Sequence, residues 1–232
     1  MSWTVQDLED DHDNKVEDIA RLRSALDRAV KAKILLFCSA PDIGAASPQV
    51  LSSYYPFGYS AISDSMFKIG AAKADGSMYG WAGDPRSVDF ILPGHNVELR
   101  EGDRIHEEDD IPKTGSSVAT ALAAGLAALI IHCVRLGAVY SWHRGRVNDG
   151  NAVNEDSLRA IKRHAAMREA LMRISSGYTD KDRRLEVETF FRDPAKTLDP
   201  YNSVLDGVKW ERIAQLGRDL VSSNTQARVA QS

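Results

Sequence analysis

Apolar positions along this chain alternate between helix-like and strand-like periods through roughly its first two thirds. From Asn14 to Lys31 they recur at three and four (Val16, Ile19, Leu22, Leu26, Ala29, Val30), which predicts an amphipathic helix with one face on a core. Ile34 to Cys38 is a short, continuously apolar run ending at Ser39-Ala40-Pro41-Asp42, the pattern of a strand buried on both faces. Helix then buried strand is half of a parallel α/β unit. Pro48 to Ser65, rich in Ser, Tyr, Pro and Gly, reads as loop. Met66 to Ala72 predicts a second strand, Asp75-Gly76 a turn, and Val88 to Leu92 a third strand closed by Pro93-Gly94. A charged loop from Glu98 to Asp110 then leads to Gly115-Ser116-Ser117.

Val118 to Ile131 is almost wholly small or aliphatic, and it is expected to form a buried core helix. At about 14 residues the run falls short of the roughly 20 a membrane span needs, and His132 and Arg135 follow at once. A helix apolar nearly all round needs cover on every side. Gly145 to Asp156 reads as a polar linker. Ser157 is expected to cap a long amphipathic helix through about Ile174, with Ala160, Ile161, Ala165, Met167, Leu171 and Ile174 as its apolar side. Leu185 to Phe191 fits an edge strand or a short helix. Trp210 to Val221 predicts a final amphipathic helix, and the tail from Ser222 is expected to be disordered.

Composition narrows the classes. The 232 residues are 43% hydrophobic and 27% charged with a net charge of -4, which fits a soluble chain with one sizeable domain plus an extension. An acidic balance without a dense basic tract argues against nucleic acid as a partner. Arg159, Lys162, Arg163, Arg168 and Arg173 alternate with apolar positions and read as a solvated helix face. The acidic run Asp7, Glu9, Asp10, Asp11, Asp13 precedes the first helix, where it suits the dipole. Cys38 and Cys133 lie in apolar runs and are expected to be buried free thiols. The N-terminus lacks the apolar core of a secretory signal, so the expected setting is cytoplasmic, without a membrane. No metal cage or cofactor motif is visible, and none is expected.

The chemistry centres on the serine turn. Ser116 or Ser117 fits an N-cap, as serines commonly are. Either fits equally a nucleophile at a helix N-terminus, where unpaired N–H groups and the positive dipole end can hold an oxyanion.

The order of landmarks resembles the subtilisin-like serine proteases (subtilases). The family's serine block, Gly-Thr-Ser-x-Ala-x-Pro before an alanine-rich helix, corresponds to Gly115-Ser116-Ser117-Val118-Ala119-Thr120-Ala121 followed by Ala124-Gly125 and Ala127-Ala128-Leu129. Tyr55-Pro56, Ile69-Gly70-Ala71 and Val88 to Gly94 fall upstream in the family's order. Met1-Ser2-Trp3-Thr4 looks like the family's Met-Ser-Leu-Gly, one wall of the specificity pocket. Ser39-Ala40-Pro41-Asp42 stands where the family has Ala-Ala-Gly-Asn, the other wall plus the oxyanion residue. The resemblance covers residues 1 to 176. It implies an incomplete three-layer α/β fold with a parallel sheet and a buried central helix after the nucleophile. A mainly helical extension, residues 177 to 232, would follow.

The resemblance also implies roles: Ser117 as nucleophile, Asp42 at the oxyanion site, and Ser2, Trp3, Thr4, Ser39, Ala40 and Pro41 against a peptide or protein substrate. Ala121, Ala124 and Ala128 share a helix stripe with Ser117, which would let neighbouring backbones approach a buried helix closely. Three departures matter. An ionised Asp42 would repel an oxyanion where the family's asparagine donates to it. In subtilisin itself, loss of that donor costs ~10²–10³ in rate; Asp42 would help only if protonated. Ala121 and Leu122 replace Pro and His neutrally. Thr4 and Pro41 replace glycines and narrow the pocket.

A nucleophilic serine also needs a base and an orienting carboxylate. In subtilases both lie upstream of the strand that Met1-Ser2 resembles. Of the six histidines (His12, His95, His106, His132, His143, His164), only His95 and His106 fall on loops near the serine turn. The expectation is therefore a peptidase of subtilisin type that is catalytically incomplete as this chain, needing a missing N-terminal half or a partner domain. The alternative is a non-catalytic interaction or sensor module derived from the same fold.

Overall fold

A computed structural model describes residues 1–7, 13–98, 111–145, 152–175, 183–201 and 205–221, with the side chains of 13–16 excepted. His12, His106, the charged segment 99–110 and the tail from 222 lie outside the described residues. The chain divides into two compact units, Met1–Leu126 with Ser175–Leu185, and Ala127–Ile174 with Glu186–Ser232.

The first unit is mixed α/β. Helix α1 (Asp13–Lys31) follows the predicted period, burying Ile19 and Leu26 while Leu22, Ala29 and Val30 pack on the same cluster. It ends in a Schellman turn: Lys33 adopts φ 59°, its N–H bonds the Val30 carbonyl at 2.9 Å and the Ile34 N–H bonds Ala29 at 3.0 Å. That turn explains why the next strand, β2 (Leu36–Ser39), starts two residues later than the apolar run, leaving Ile34 exposed. Pro48–Ser65 is more ordered than its composition implies. Ser47 caps the short helix α2 (Pro48–Ser52), and β3 (Tyr54–Tyr55) pairs antiparallel with β1 (Val5–Gln6); a 3₁₀ turn spans Ser60–Ser65.

Strand β4 (Met66–Ala72) has the predicted bounds, and β5 (Phe90–Pro93) ends at the predicted Pro-Gly stop. The three form a parallel sheet in the order β2-β4-β5, with Phe37 opposite Phe67 and Gly70 opposite Ile91. Alternation puts Leu36, Cys38, Met66 and Ile91 into the α1-side cluster, while Phe37, Phe67, Ile69, Phe90 and Leu92 are buried too. A sheet buried on both faces is what continuous apolar strands require. Residues 183–185 extend it: Arg184 bridges Ile91 in parallel, and Ile91 exchanges backbone bonds with Arg183 (3.0 Å) and Leu185 (3.2 Å).

Helix α3 (Ser116–His143) runs 28 residues, twice the apolar core from which a helix too short for a membrane was expected. By length and composition it is long and apolar enough to cross a membrane, and 44% of its most apolar window is buried. Burial is one-sided. Ser116, Ala119, Ala123, Leu126, Ile130 and Val134 are buried, whereas Ala121, Leu122, Ala124, Gly125, Ala128 and Leu129 are exposed. The stripe of small residues expected to seat neighbouring backbones is thus open, and the central helix is half covered.

The second unit is helical: the later part of α3, α4 (Glu155–Ala160), α5 (His164–Ile174), α6 (Val187–Leu198) and α7 (Asp206–Val221). The single helix expected from Ser157 to Ile174 is two. Asn154, not Ser157, is the cap; it accepts from the Ser157 N–H at 2.9 Å while Ser157 Oγ faces the Asn154 N–H, a reciprocal capping box. Leu185 to Phe191 divides between the two readings, with Leu185 bridging Ser175 and the helix starting at Val187. Helix α7 crosses α3 closely at two glycines. A Cβ on Gly217 would stand 3.3 Å from the Cys133 carbonyl and 3.6 Å from the Gly137 Cα, so any larger residue forces the helices apart.

Candidate active site

Three strand ends converge on the serine turn. The β2–β4 ladder continues one step as Ala40 N–H bonds the Ile69 carbonyl at 2.8 Å, and the chain then turns through Pro41 to Asp42 at φ 51°. The β5 end is fixed by Gly94 N–H on the Ala72 carbonyl at 3.1 Å. Gly94 in turn accepts from Gly115 N–H at 2.7 Å, and Val97 and Lys113 exchange backbone bonds of 2.9 and 2.8 Å, so the excursion from 94 to 115 closes on itself. The turn is thereby held at the carboxyl ends of parallel strands, where open α/β sheets place their sites.

Gly115 has φ +140°, a conformation L side chains rarely adopt. A Cβ there would meet Asp42 Oδ2 at 3.2 Å and Ser117 Oγ at 3.3 Å. Ser116 then opens α3 and is fully buried. Its N–H donates to Asp42 Oδ2 at 2.7 Å and its hydroxyl to Asp42 Oδ1 at 2.6 Å, while the Ala71 N–H donates to Ser116 Oγ at 3.2 Å. One hydroxyl therefore joins the loop after β2, strand β4 and the start of α3. Asp42 supplies the helix cap from a distant loop, its carboxylate resting against a positive dipole end. Both its oxygens act as acceptors, the opposite of the donor that an oxyanion requires.

Ser117 is half-buried, and among the described residues neither its N–H nor its hydroxyl makes a hydrogen bond. The two serine readings thus separate: Asp42 rather than either serine caps the helix, Ser116 is the buried tie, and Ser117 is the one with free donors. Helix phase carried this signal. Ser116 shares the buried i, i+3, i+7 stripe of Ala119 and Ala123, whereas Ser117 sits in phase with exposed Ala121, Ala124 and Ala128.

The expected wall residues lie on the same side of the sheet as neighbours in the backbone ladder. Met1 straddles β2, its amino group on the Phe37 carbonyl and its carbonyl accepting from Ser39 N–H at 3.1 Å. Ser2 and Trp3 are exposed and Thr4 half-buried beyond it; Ser39 and Ala40 are buried and Pro41 half-buried. The structure therefore brings Met1 to Ser39 and Asp42 to the serine turn.

A base is a different matter. His95 follows Gly94 directly, but its ring is tilted on Tyr79 with centroids 4.8 Å apart, and it makes no bond to Ser117. His132 is fifteen residues along α3, about 22 Å away at the rise of a helix. Cys38 beside the site is inert: burial pushes its thiol up to about 12.

Among family models, that of the Subtilase family matches residues 1–187, a span that takes in the sheet, the serine turn and the strand-like segment at Arg184. No curated protein sequence matches the chain. With the strand order, the serine turn and the match over most of its length in agreement, the chain belongs to the subtilase family.

Proposed function

We propose that the chain is a serine endopeptidase domain of subtilisin type in which Ser117 stands in the nucleophile's place. In that role its hydroxyl would attack a peptide carbonyl and its N–H would face the resulting oxyanion. The observation that carries this reading is the pair of uncommitted Ser117 donors at the start of α3, beside three converging strand ends. Ser2, Trp3 and Thr4 would form one wall of the substrate cleft and Ser39, Ala40 and Pro41 the other, with residues 1–176 as the peptidase domain and 177–232 as its extension.

By itself the chain turns over peptide bonds little or not at all. No described histidine bonds Ser117, and Asp42 offers acceptors where a donor is needed. The Asp and His of the triad would come from a segment outside these residues or from a partner domain, a need that fits the open face of α3. Hydrolysis of quenched fluorescent peptides is expected to match a Ser117→Ala control; turnover that Ser117→Ala abolishes would refute the incompleteness. Asp42's acceptor role favours a second reading, a peptide-binding module that has lost catalysis. There, Ser117→Ala would leave peptide affinity within a factor of about two, the size of a neutral substitution.

A further inference from the structure

Asp42 fixes the charge met by any group that rests against Ser117. Its Oδ2 and the Ser117 Oγ stand 3.2 and 3.3 Å from the point a Gly115 Cβ would occupy, so carboxylate and hydroxyl border the same space. Gly115 keeps that space open. On one side lie the uncommitted N–H and O–H of Ser117, and on the other the carboxylate that Ser116 holds turned inward by two bonds of 2.7 and 2.6 Å. An entering group therefore meets two donors and one anionic acceptor. A carboxamide answers both, with an oxygen for the donors and an N–H for the carboxylate. A carboxylate brings a second negative charge to within a few ångströms of the first and has no donor to offer.

We propose that Asp42 is a specificity-determining residue that makes the Ser117 site select intact, amide-bearing peptide over peptide whose free carboxylate terminus lies there. The proposal rests on the reading of Ser117 as the peptide-facing serine. It gives the site a direction: neutral peptide is retained, and the acid end that hydrolysis would produce is expelled.

The test uses two ligands, acetyl-tetra-alanine as its amide and as its acid, titrated into the full chain with the Ser117 backbone amide followed by NMR. The amide form is expected to bind about tenfold more tightly, the scale of a like-charge contact at a half-exposed site. Asp42→Asn keeps an acceptor for the Ser116 N–H and tolerates positive φ, and it is expected to bring the two affinities together or reverse them. Raising salt to about 0.5 M on the unmutated chain is expected to shrink the ratio. Equal affinities in the unmutated chain, or a preference that survives both Asp42→Asn and salt, would overturn the proposal while leaving Ser117 peptide-facing. Binding of neither peptide to folded chain would overturn the reading of Ser117 and the proposal with it. Should Asp42→Asn fail to fold, the salt series decides alone.

Discussion

Ser116 and Ser117 are adjacent and chemically identical, yet the fold gives them opposite tasks. Motif order could point to the pair, and helix phase to which one is buried. The partner that occupies Ser116 was invisible, because Asp42 is 74 positions away in the chain. Ser116→Ala removes a donor to Asp42 and an acceptor for Ala71 N–H from a fully buried site. Urea unfolding should show a loss of about 1–3 kcal/mol. Gly115→Ala forces a Cβ between Asp42 and Ser117 at an unsuitable φ and should cost more than about 1 kcal/mol in the same assay. Cys38 gives a pH prediction. Its folded value of about 12 lies above the ordinary 9.0, so the stability gained by keeping it neutral is full below about pH 9 and is lost as pH climbs toward 12. At pH 8 neither it nor buried Cys133 should react with a disulfide reagent until the chain is denatured, and prompt native reactivity would contradict this.

Elements with a strong period were legible: α1 and β4 fall where their apolar spacing put them. The misses have local causes. A Schellman turn took Ile34 out of β2, and an Asn-Ser capping box moved the start of α4 while the helix broke after Ala160 without a Gly or Pro to announce it. Helix α3 was misjudged in another way. Apolar composition on every side suggested burial on every side, but composition states what a helix tolerates and not which neighbours the chain provides. The two faces should answer differently to truncation. Ile130→Ala, at a fully buried position, is expected to cost about 2–5 kcal/mol, and Leu129→Ala, 44% exposed, below about 1 kcal/mol by chemical denaturation. Equal costs would mean that Leu129 is covered in solution.

At the scale of the whole molecule, family membership was readable because five short motifs kept their order around a parallel sheet, and order is a property of the sequence itself. Catalytic competence was not readable from the serine motif alone, since a nucleophile works through groups that the fold brings to it from elsewhere. This chain brings Ser117 two free donors, an acceptor carboxylate and no bonded histidine among the described residues. Labelling with a fluorophosphonate probe at neutral pH reads that combination at the serine itself. Labelling of the chain should be no greater than that of Ser117→Ala; rapid, near-stoichiometric modification of Ser117, abolished by Ser117→Ala, would mean that the chain activates its serine unaided and would overturn its incompleteness.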